Sequence, residues 1–315
     1  MKIAVLDAKT LGDDINLSPI TDLGEAQVFD TTPLEMVKER VLNKDVVVLN
    51  KVKFNENTVG KNSGVKLVCI TATGFDNVDL DFCRSENIAV CNVVGYSTDS
   101  VAQVTAAMVL SLVNHLSEYD EFSKSGKYTK SGVHNCLTPV YHELAGKTWG
   151  IVGFGNIGKK VSEIAKALGC NILVHKRTPE DGYNCADIDT LCRESDIITL
   201  HTPLNEGTKN LINEERLNMM KENVILVNVA RGAVTDEEAV CNAIINGKIA
   251  GFGTDVFSTE PYPENHCFHK LKDFKNVIIT PHMAWGAFEA RQRCVEEISK
   301  NIRAFYSGEK RNRVN

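Results

Sequence analysis

The sequence lacks several features that mark particular classes of protein. No apolar run approaches the roughly 20 residues that span a bilayer, so no membrane-spanning segment is expected. Residues 1–7 form too short an apolar run for a secretory signal, and they meet an acid at once. The ten cysteines include no CxxC pair, which fits neither a disulfide framework nor a zinc ribbon. We therefore expect a protein of the reducing cytoplasm.

Charge and composition exclude further classes. A net charge of -6 gives no general attraction to nucleic acid or to anionic membranes, so neither is an expected partner. With 43% hydrophobic and 24% charged residues, the composition is that of an ordinary globular protein. A length of 315 residues exceeds what one hydrophobic core usually organises, so two domains are expected.

The most informative segment that is present is the glycine-rich stretch WGIVGFGNIG at residues 149–158. Apolar residues precede it, an amphipathic run follows at 159–168, and a further strand at 171–174 completes a βαβ unit. A glycine-rich turn in that context predicts a dinucleotide-binding site, whereas the same turn alone would be weak evidence.

Each glycine of this turn has a distinct predicted task. Gly153 permits the tight turn, Gly155 lets the backbone approach a pyrophosphate, and Gly158 allows close packing of the helix. The helix N-terminus then faces the negative charge. The predicted dinucleotide contacts in this turn are Gly153, Gly155, Asn156, Ile157 and Gly158.

Short β-branched runs alternate with amphipathic stretches along the chain, which is the pattern of parallel sheets and predicts an α/β fold. Strands are expected at residues 2–6, 26–29, 46–49, 67–70, 89–91, 197–200, 224–228, 249–254 and 277–279, and helices at 33–42, 100–114 and 287–305. The helix at 100–114 is apolar on nearly every face and is expected at a domain or subunit boundary. Residues 125–141 lack a regular pattern and are expected to form a connecting loop.

Three segments that follow predicted strands each present one strongly functional side chain, namely Arg231, Glu260 and His282. Open α/β sheets place their ligand crevice at the carboxyl ends of the strands. Taken singly, each has a structural alternative, since an arginine often forms a surface ion pair, Glu-Pro is a common turn and a lone histidine is usually structural.

Taken together, the motifs occur in the order found in one family. They are TATGFDNVD at 71–79, GFGNIG at 153–158, His201-Thr202-Pro203, Ala230-Arg231-Gly232, Glu260-Pro261 and Pro281-His282. Over essentially its whole length the chain resembles the D-isomer-specific 2-hydroxyacid dehydrogenase family. Within it, residues 98–103 and 281–285 resemble the branch of glycerate dehydrogenases, also called hydroxypyruvate reductases.

The resemblance implies two Rossmann-like or flavodoxin-like domains with parallel sheets. A dinucleotide-binding domain at 100–285 would be inserted into a substrate-binding domain formed by 1–99 and 286–315. It implies hydride transfer between NAD(P)H and a small 2-keto acid, in a homodimer. His282 would donate the proton, Glu260 would orient the imidazole, and Arg231 would grip the carboxylate and polarise the carbonyl.

Further contacts are implied for both ligands. The loop Thr73-Gly74-Phe75 would bind the substrate carboxylate, and Asn50 stands where relatives acting on phosphorylated substrates carry an arginine nearby, which favours a small unphosphorylated substrate. Asp255 would accept a hydrogen bond from the carboxamide, or alternatively cap a turn. The remaining expected cofactor contacts are Thr202, Pro203, Ala230 and Ala284.

The chain departs from the common pattern after the strand at 171–174. An acid that binds the ribose hydroxyls is expected there, but the sequence continues His175-Lys176-Arg177-Thr178-Pro179. Because Lys176, Arg177 and Thr178 offer donors to a 2′-phosphate, the sequence predicts a preference for NADP, with NAD as the alternative if these are solvated loop residues.

Alternative functions remain open at this stage. One alternative is a D-2-hydroxyacid dehydrogenase for a bulkier keto acid. Another is a dinucleotide-sensing corepressor, since some proteins of this fold have that role and retain an Arg, Glu and His constellation. His266-Cys267-Phe268-His269 brings metal-ligand types together, but no companion pair is evident, so no metal site is expected.

Overall fold

The computed structural model describes residues 1–315 and contains eleven β-strands and twelve α-helices. The strands are β1 (Lys2–Val5), β2 (Glu25–Val28), β3 (Val46–Leu49), β4 (Leu67–Ile70), β5 (Ala89–Cys91), β6 (Thr148–Val152), β7 (Asn171–His175), β8 (Ile197–Leu200), β9 (Ile225–Asn228), β10 (Gly251–Thr254) and β11 (Val277–Ile279). The helices are α1 (Ser18–Thr21), α2 (Val37–Val41), α3 (Glu56–Val59), α4 (Leu80–Ser85), α5 (Thr98–Val113), α6 (Leu116–Lys124), α7 (Lys127–Ser131), α8 (Asn156–Ala167), α9 (Ile188–Glu194), α10 (Glu214–Met219), α11 (Glu237–Ile245) and α12 (Phe288–Tyr306).

Unit 1 consists of Met1–Ser97 together with Trp285–Asn315. Its five strands are all parallel, in the order β2-β1-β3-β4-β5. Successive side chains of a strand point to opposite faces of a sheet. Ile3 accordingly packs in a cluster with residues of α12, and Ala4 packs on the other face with residues of α2 and α4. Covering both faces explains why β3 and β4 are buried along their whole length.

Unit 2 consists of Thr98–Ala284. Its six strands are also parallel, in the order β11-β10-β9-β8-β6-β7. Helix α5 packs against α8 and against β9 and β10. Trp149 of β6 is fully buried in the same cluster, and its indole N–H donates to Thr199 of β8 at 3.1 Å.

The strand order changes direction once in each sheet. β2 and β3 lie on opposite sides of β1, and β7 and β8 lie on opposite sides of β6. Ligands of open α/β sheets bind outside the carboxyl ends of the strands at such reversals. In unit 2 this position is the carboxyl end of β6 and β8, where the glycine-rich turn begins.

Several local expectations need correction. The segment expected as one helix at 33–42 begins as a 3₁₀ turn, Leu34–Met36, before α2, which is common at helix N-termini. The expected loop at 125–141 contains α7. The two units divide between residues 97 and 98 and between 284 and 285, within two residues of the expected domain boundaries. The apolar character of α5 is explained by its burial inside unit 2.

No single helix has the length and apolar character needed to cross a membrane. Helices α5 and α6 meet the length and composition criteria only when taken together, and they are bent by 62° at their junction.

Candidate active site

The glycine-rich turn forms a cradle at the start of α8. Gly153 has a φ of +90°, and a Cβ there would lie 2.7 Å from the carbonyl group of His201. A Cβ at Gly158 would lie 2.2 Å from the carbonyl oxygen of Gly153, so only glycine lets α8 begin this close to β6. The space that a Cβ at Gly155 would enter is open.

The first-turn N–H groups of a helix have no acceptor within the helix. In α8 these belong to Asn156, Ile157 and Gly158, which follow directly on the open space at Gly155. The predicted dinucleotide contacts are therefore brought together, and the cradle has the donors and the clearance that a pyrophosphate requires.

His282 and Glu260 are hydrogen-bonded at the carboxyl ends of neighbouring strands. The Nδ1 atom of His282 lies 2.6 Å from Oε2 of Glu260, and Oε1 of Glu260 accepts from the N–H of Phe257 at 3.1 Å. Because a carboxylate only accepts, Nδ1 must carry a proton, and Nε2 is the ring atom that would exchange a proton with a substrate. Both side chains are partly exposed, at 25% and 30%.

The loop that carries His282 is held by Asp255, which is buried at the end of β10. One carboxylate oxygen accepts from the Thr280 hydroxyl at 2.6 Å and from the Met283 N–H at 2.8 Å, while the other accepts from the Ala284 N–H at 2.8 Å. Of the two interpretations offered by the sequence, the structure supports the one in which Asp255 caps a turn. Its contact with a carboxamide stays a prediction.

Arg231 lies in the turn after β9, and the conformation of this turn depends on Asn228 and Gly232. The side-chain amide of Asn228 donates to the Arg231 carbonyl at 3.0 Å, and its oxygen accepts from the Ala230 N–H at 3.0 Å. A Cβ at Gly232 would lie 2.0 Å from the carbonyl carbon of Phe257, so this turn packs directly on the segment that leads to Glu260. The guanidinium Nη1 donates to the Ala230 carbonyl at 2.8 Å. Asn228 was not identified from the sequence, although it lies three residues before Arg231.

The residues expected near the adenosine half of the dinucleotide differ in their exposure and in their contacts. Arg177 and Thr178 are exposed, whereas Lys176 is half-buried and lies 2.5 Å from the carboxylate of Glu180. The expected phosphate-binding lysine therefore already has a partner within the protein. Thr202 is half-buried and Pro203 exposed, in the segment that follows β8.

His201, the residue before Thr202, also has an unusual environment. Its main-chain N–H donates to the Val152 carbonyl at 2.7 Å, but both ring nitrogens are buried without a hydrogen-bond partner. Burial lowers the pKa of His201 to about 3, so the imidazole is neutral. In the sequence His201 stands out only as part of the motif His201-Thr202-Pro203, because a single histidine gives no sign of an unpartnered ring.

The substrate-binding residues expected in unit 1 are held by a network of their own. Asp7, at the end of β1, accepts from the N–H groups of Asn50, Lys51 and Val52 at 2.8, 2.6 and 3.2 Å. Burial raises the pKa of Asp7 in spite of these three donors. Asn50 is only 4% exposed, and its amide donates to the Thr10 hydroxyl at 3.0 Å. Its role as a substrate contact stays a prediction.

The loop at Thr73, Gly74 and Phe75 follows β4. The Thr73 hydroxyl donates to the Val93 carbonyl at 2.8 Å, and the Asn92 amide donates to the Thr73 carbonyl at 2.7 Å. These bonds fix the conformation of the loop. Its binding of a carboxylate remains a prediction.

The segment around His266, at which no metal site is expected, is part of a hydrogen-bonded cluster. Nδ1 of His266 accepts from the Phe268 N–H at 3.3 Å, so Nε2 is the donor to Glu237 at 3.1 Å. Glu237 also accepts from the Ser258 N–H at 2.8 Å. No group of three or more His, Cys, Asp and Glu side chains is arranged to hold a metal ion.

Comparison with known proteins identifies the family. The model for the D-isomer specific 2-hydroxyacid dehydrogenase, NAD binding domain, matches residues 106–284. A glycerate dehydrogenase of Methylorubrum extorquens is 33% identical over 315 residues, which cover 99% of this chain and 98% of that protein. The chain belongs to the D-isomer-specific 2-hydroxyacid dehydrogenase family.

Other D-2-hydroxyacid dehydrogenases are similar to nearly the whole chain. A glyoxylate reductase of Thermococcus litoralis is 38% identical over 285 residues, covering 88% of this chain and 85% of the relative. The structure of a D-lactate dehydrogenase from Aquifex aeolicus, complexed with NAD and lactic acid, has a TM-score of 0.84 at 29% identity and covers 98% of this chain and 96% of that one. Like the other members, the chain is a two-domain α/β protein with an NAD(P)-binding domain.

Proposed function

We propose that this D-2-hydroxyacid dehydrogenase reduces hydroxypyruvate to D-glycerate and glyoxylate to glycolate. The observation that carries the proposal is the 2.6 Å hydrogen bond between His282 and Glu260, on the same edge of the unit 2 sheet as Arg231 and the glycine-rich turn. The names of two relatives, a glycerate dehydrogenase and a glyoxylate reductase, support this choice of substrates.

The proton chemistry of the reaction falls to His282. When bound, the reduced dinucleotide supplies the hydride. As the keto carbon gains that hydride, Nε2 of protonated His282 gives its proton to the keto oxygen, so the C=O group becomes CH–OH. The imidazole is left neutral and takes a new proton from solvent. Glu260 keeps the proton on Nδ1 and stabilises the imidazolium before the transfer, so the acid form is ready for reduction.

Arg231 supplies the fixed positive charge. A guanidinium binds a carboxylate through two parallel hydrogen bonds and stabilises the negative charge that develops on a carbonyl oxygen during reduction. The turn that holds Arg231 is fixed by Asn228 and by the packing of Gly232, so the charge is presented from a rigid base. Pre-positioned charge of this kind needs no rearrangement at the moment of reaction.

For the cofactor, we propose NADPH as the preferred donor, with NADH also accepted. The support comes from the residues that follow β7, where Lys176 and Arg177 replace the acid that would bind the ribose hydroxyls of NAD. The Aquifex aeolicus relative is complexed with NAD, and the preference of this chain therefore has to be measured.

We further propose a cytoplasmic homodimer. The cysteines are free thiols, which fits a reducing compartment. Within unit 2, the segment 116–141 carries exposed apolar side chains, including Leu116 at 54%, Val133 at 57% and Leu137 at 71%. Exposed apolar surface of this kind favours burial against a second copy. We therefore propose this segment as the dimer interface in place of α5, whose buried residues pack within unit 2.

The test is a panel of 2-keto acids assayed with NADPH and with NADH. We expect hydroxypyruvate and glyoxylate to give the highest kcat/KM, and pyruvate and branched keto acids to give values at least tenfold lower. A bulkier keto acid as the best substrate would overturn the substrate assignment, and binding of dinucleotide without turnover of any keto acid would overturn the enzymatic one.

A further inference from the structure

Glu180 joins two lysines that come from different elements around the glycine-rich turn. One carboxylate oxygen lies 2.5 Å from Nζ of Lys176, which follows β7, and the other lies 2.5 Å from Nζ of Lys159, in the first turns of α8. The two ammonium groups, Lys159 first, hold the pKa of Glu180 below its ordinary value. Glu180 is therefore an anion bound between two cations at the end of the first βαβ unit.

One of these cations, Lys176, is among the residues predicted to bind a 2′-phosphate, and Lys159 contacts the same carboxylate. Two oxygens of a phosphate are spaced much like the two oxygens of a carboxylate, so a phosphate group fits between the same pair of ammonium groups. It brings a charge of about -1.5 to -2 at neutral pH and three acceptor oxygens. A phosphate and the Glu180 carboxylate would therefore compete for Lys159 and Lys176, and they would repel each other.

The residue that ends β7 does not play this part. His175 is the last residue of β7, and its Nδ1 lies 3.1 Å from the carbonyl oxygen of Ala186. The carboxylate in this region comes instead from Glu180, five residues after His175. A negative charge beside Lys176 disfavours a 2′-phosphate by repulsion.

We propose that Glu180 sets the choice between NADPH and NADH, acting as an internal anion that competes with the 2′-phosphate for Lys159 and Lys176. The inference rests on the proposed dinucleotide-dependent function. Arg177, which is exposed and adjacent to Lys176, still favours the phosphate, so Glu180 moderates the preference and lets the enzyme use both donors.

The decisive variant is Glu180→Gln, which keeps the size of the side chain and removes its charge. Binding is measured by calorimetry with adenosine 2′,5′-bisphosphate and with AMP as probes, which differ only in the 2′-phosphate. We expect the bisphosphate to bind about tenfold more tightly to the variant and AMP to change by less than about twofold. The ratio of kcat/KM for NADPH to that for NADH should rise by a similar factor.

Glu163→Gln is the matched control. Glu163 pairs with Lys160 at 3.1 Å on the exposed face of α8, so its replacement makes the same change in net charge next to the same site. We expect no change in the ratio of bisphosphate affinity to AMP affinity, and none in the ratio of kcat/KM for NADPH to that for NADH. A second variant, Lys176→Gln, should weaken bisphosphate binding several-fold while leaving AMP binding nearly unchanged.

The outcomes separate the two proposals. If the wild type turns over keto acids but Glu180→Gln leaves both ratios unchanged, or shifts them towards NADH, the role of Glu180 is wrong and the proposed function stands. If the control variant shifts the ratios as much as Glu180→Gln, the effect is one of net charge and the role of Glu180 is again wrong. If the wild type turns over no keto acid with either dinucleotide, both proposals fail.

Discussion

The main-chain N–H of Ala284 donates to the buried carboxylate of Asp255 at 2.8 Å, two residues beyond His282. Together with the main-chain N–H of Met283 and the side-chain hydroxyl of Thr280, which also donate to Asp255, it ties the segments on both sides of His282 to the end of β10. The proton donor is thus positioned by the sheet rather than by its own loop.

Replacing Asp255 by Asn should therefore damage catalysis through position. An asparagine offers only one acceptor oxygen, and its amide would point donors at N–H groups. We expect kcat to fall about 10- to 100-fold, because small displacements of a reacting group cost that much. The Kd of the dinucleotide, measured by fluorescence titration, should change by less than about threefold. A loss confined to dinucleotide affinity would indicate the carboxamide contact instead.

His282→Ala should remove most turnover, since the proton donor is lost. We expect kcat to fall by about 10²- to 10⁴-fold, the usual contribution of a positioned acid or base. Dinucleotide binding, followed by fluorescence, should persist, because the glycine-rich turn is unchanged. Near-normal turnover in the variant would show that another group supplies the proton.

Glu260→Gln should slow the proton transfer by His282. A glutamine still accepts from Nδ1, but it carries no negative charge to stabilise the imidazolium. We expect kcat for reduction to fall about 10- to 100-fold, while the Kd of the dinucleotide, measured by fluorescence titration, should change by less than about threefold. A kcat close to that of the wild type would show that the charge of Glu260 does not support the transfer.

Arg231→Lys keeps the charge and loses the planar fork. We expect the KM of the keto acid to rise and kcat to fall, with kcat/KM lower by about 10²-fold, since two parallel hydrogen bonds are replaced by one point charge. Steady-state kinetics with hydroxypyruvate at saturating dinucleotide gives both values. Full activity would mean that the carboxylate is bound elsewhere.

Asp196 offers a test of stability as a function of pH. Its carboxylate accepts from the Thr148 N–H at 2.9 Å and from Lys221 at 3.0 Å. Burial alone would raise the pKa of Asp196, but the Thr148 and Lys221 donors outweigh it and hold the pKa below its ordinary value. A depressed pKa adds stability above the unfolded-state pKa of about 3.9, and this contribution is lost as pH falls through the folded-state pKa.

Asp196→Asn should therefore lower the free energy of unfolding by about 1 kcal/mol at pH 7. The difference between wild type and variant should shrink below about pH 4, as the wild-type carboxylate is protonated. Urea unfolding at pH 7, 5 and 3.5 measures this. A difference that stays constant with pH would show that the charge of Asp196 contributes nothing.

The sequence predicts the local features of the molecule well. The glycine-rich turn follows from three residues whose spacing has a backbone reason, and buried β-branched runs identify the central strands. The identities of Arg231, Glu260 and His282 also follow from motif order. The hydrogen bond between Glu260 and His282 is implied by the family resemblance. The bonds from Asp255 to the His282 loop are not, because Asp255 reaches that loop only after two strands have paired side by side.

The features that escaped prediction depend on contacts between distant segments. Lys176 looks like a phosphate ligand in the sequence, and only the placement of α8 beside β7 shows that Glu180 holds it together with Lys159. The all-round apolar face of α5 indicates burial without saying against what. Helices α6 and α7 bury none of their residues, so they offer no set of core positions by which a helix is recognised.

The unpartnered imidazole of His201 makes that residue a built-in spectroscopic marker. With a pKa of about 3, its ring proton resonances should stay fixed while those of solvent-exposed histidines move between pH 5 and 8. Since its carbonyl group packs against the position of Gly153, we expect dinucleotide binding at the glycine-rich turn to shift these resonances at constant pH. Occupation of that turn could then be followed by NMR without turnover and without an added label.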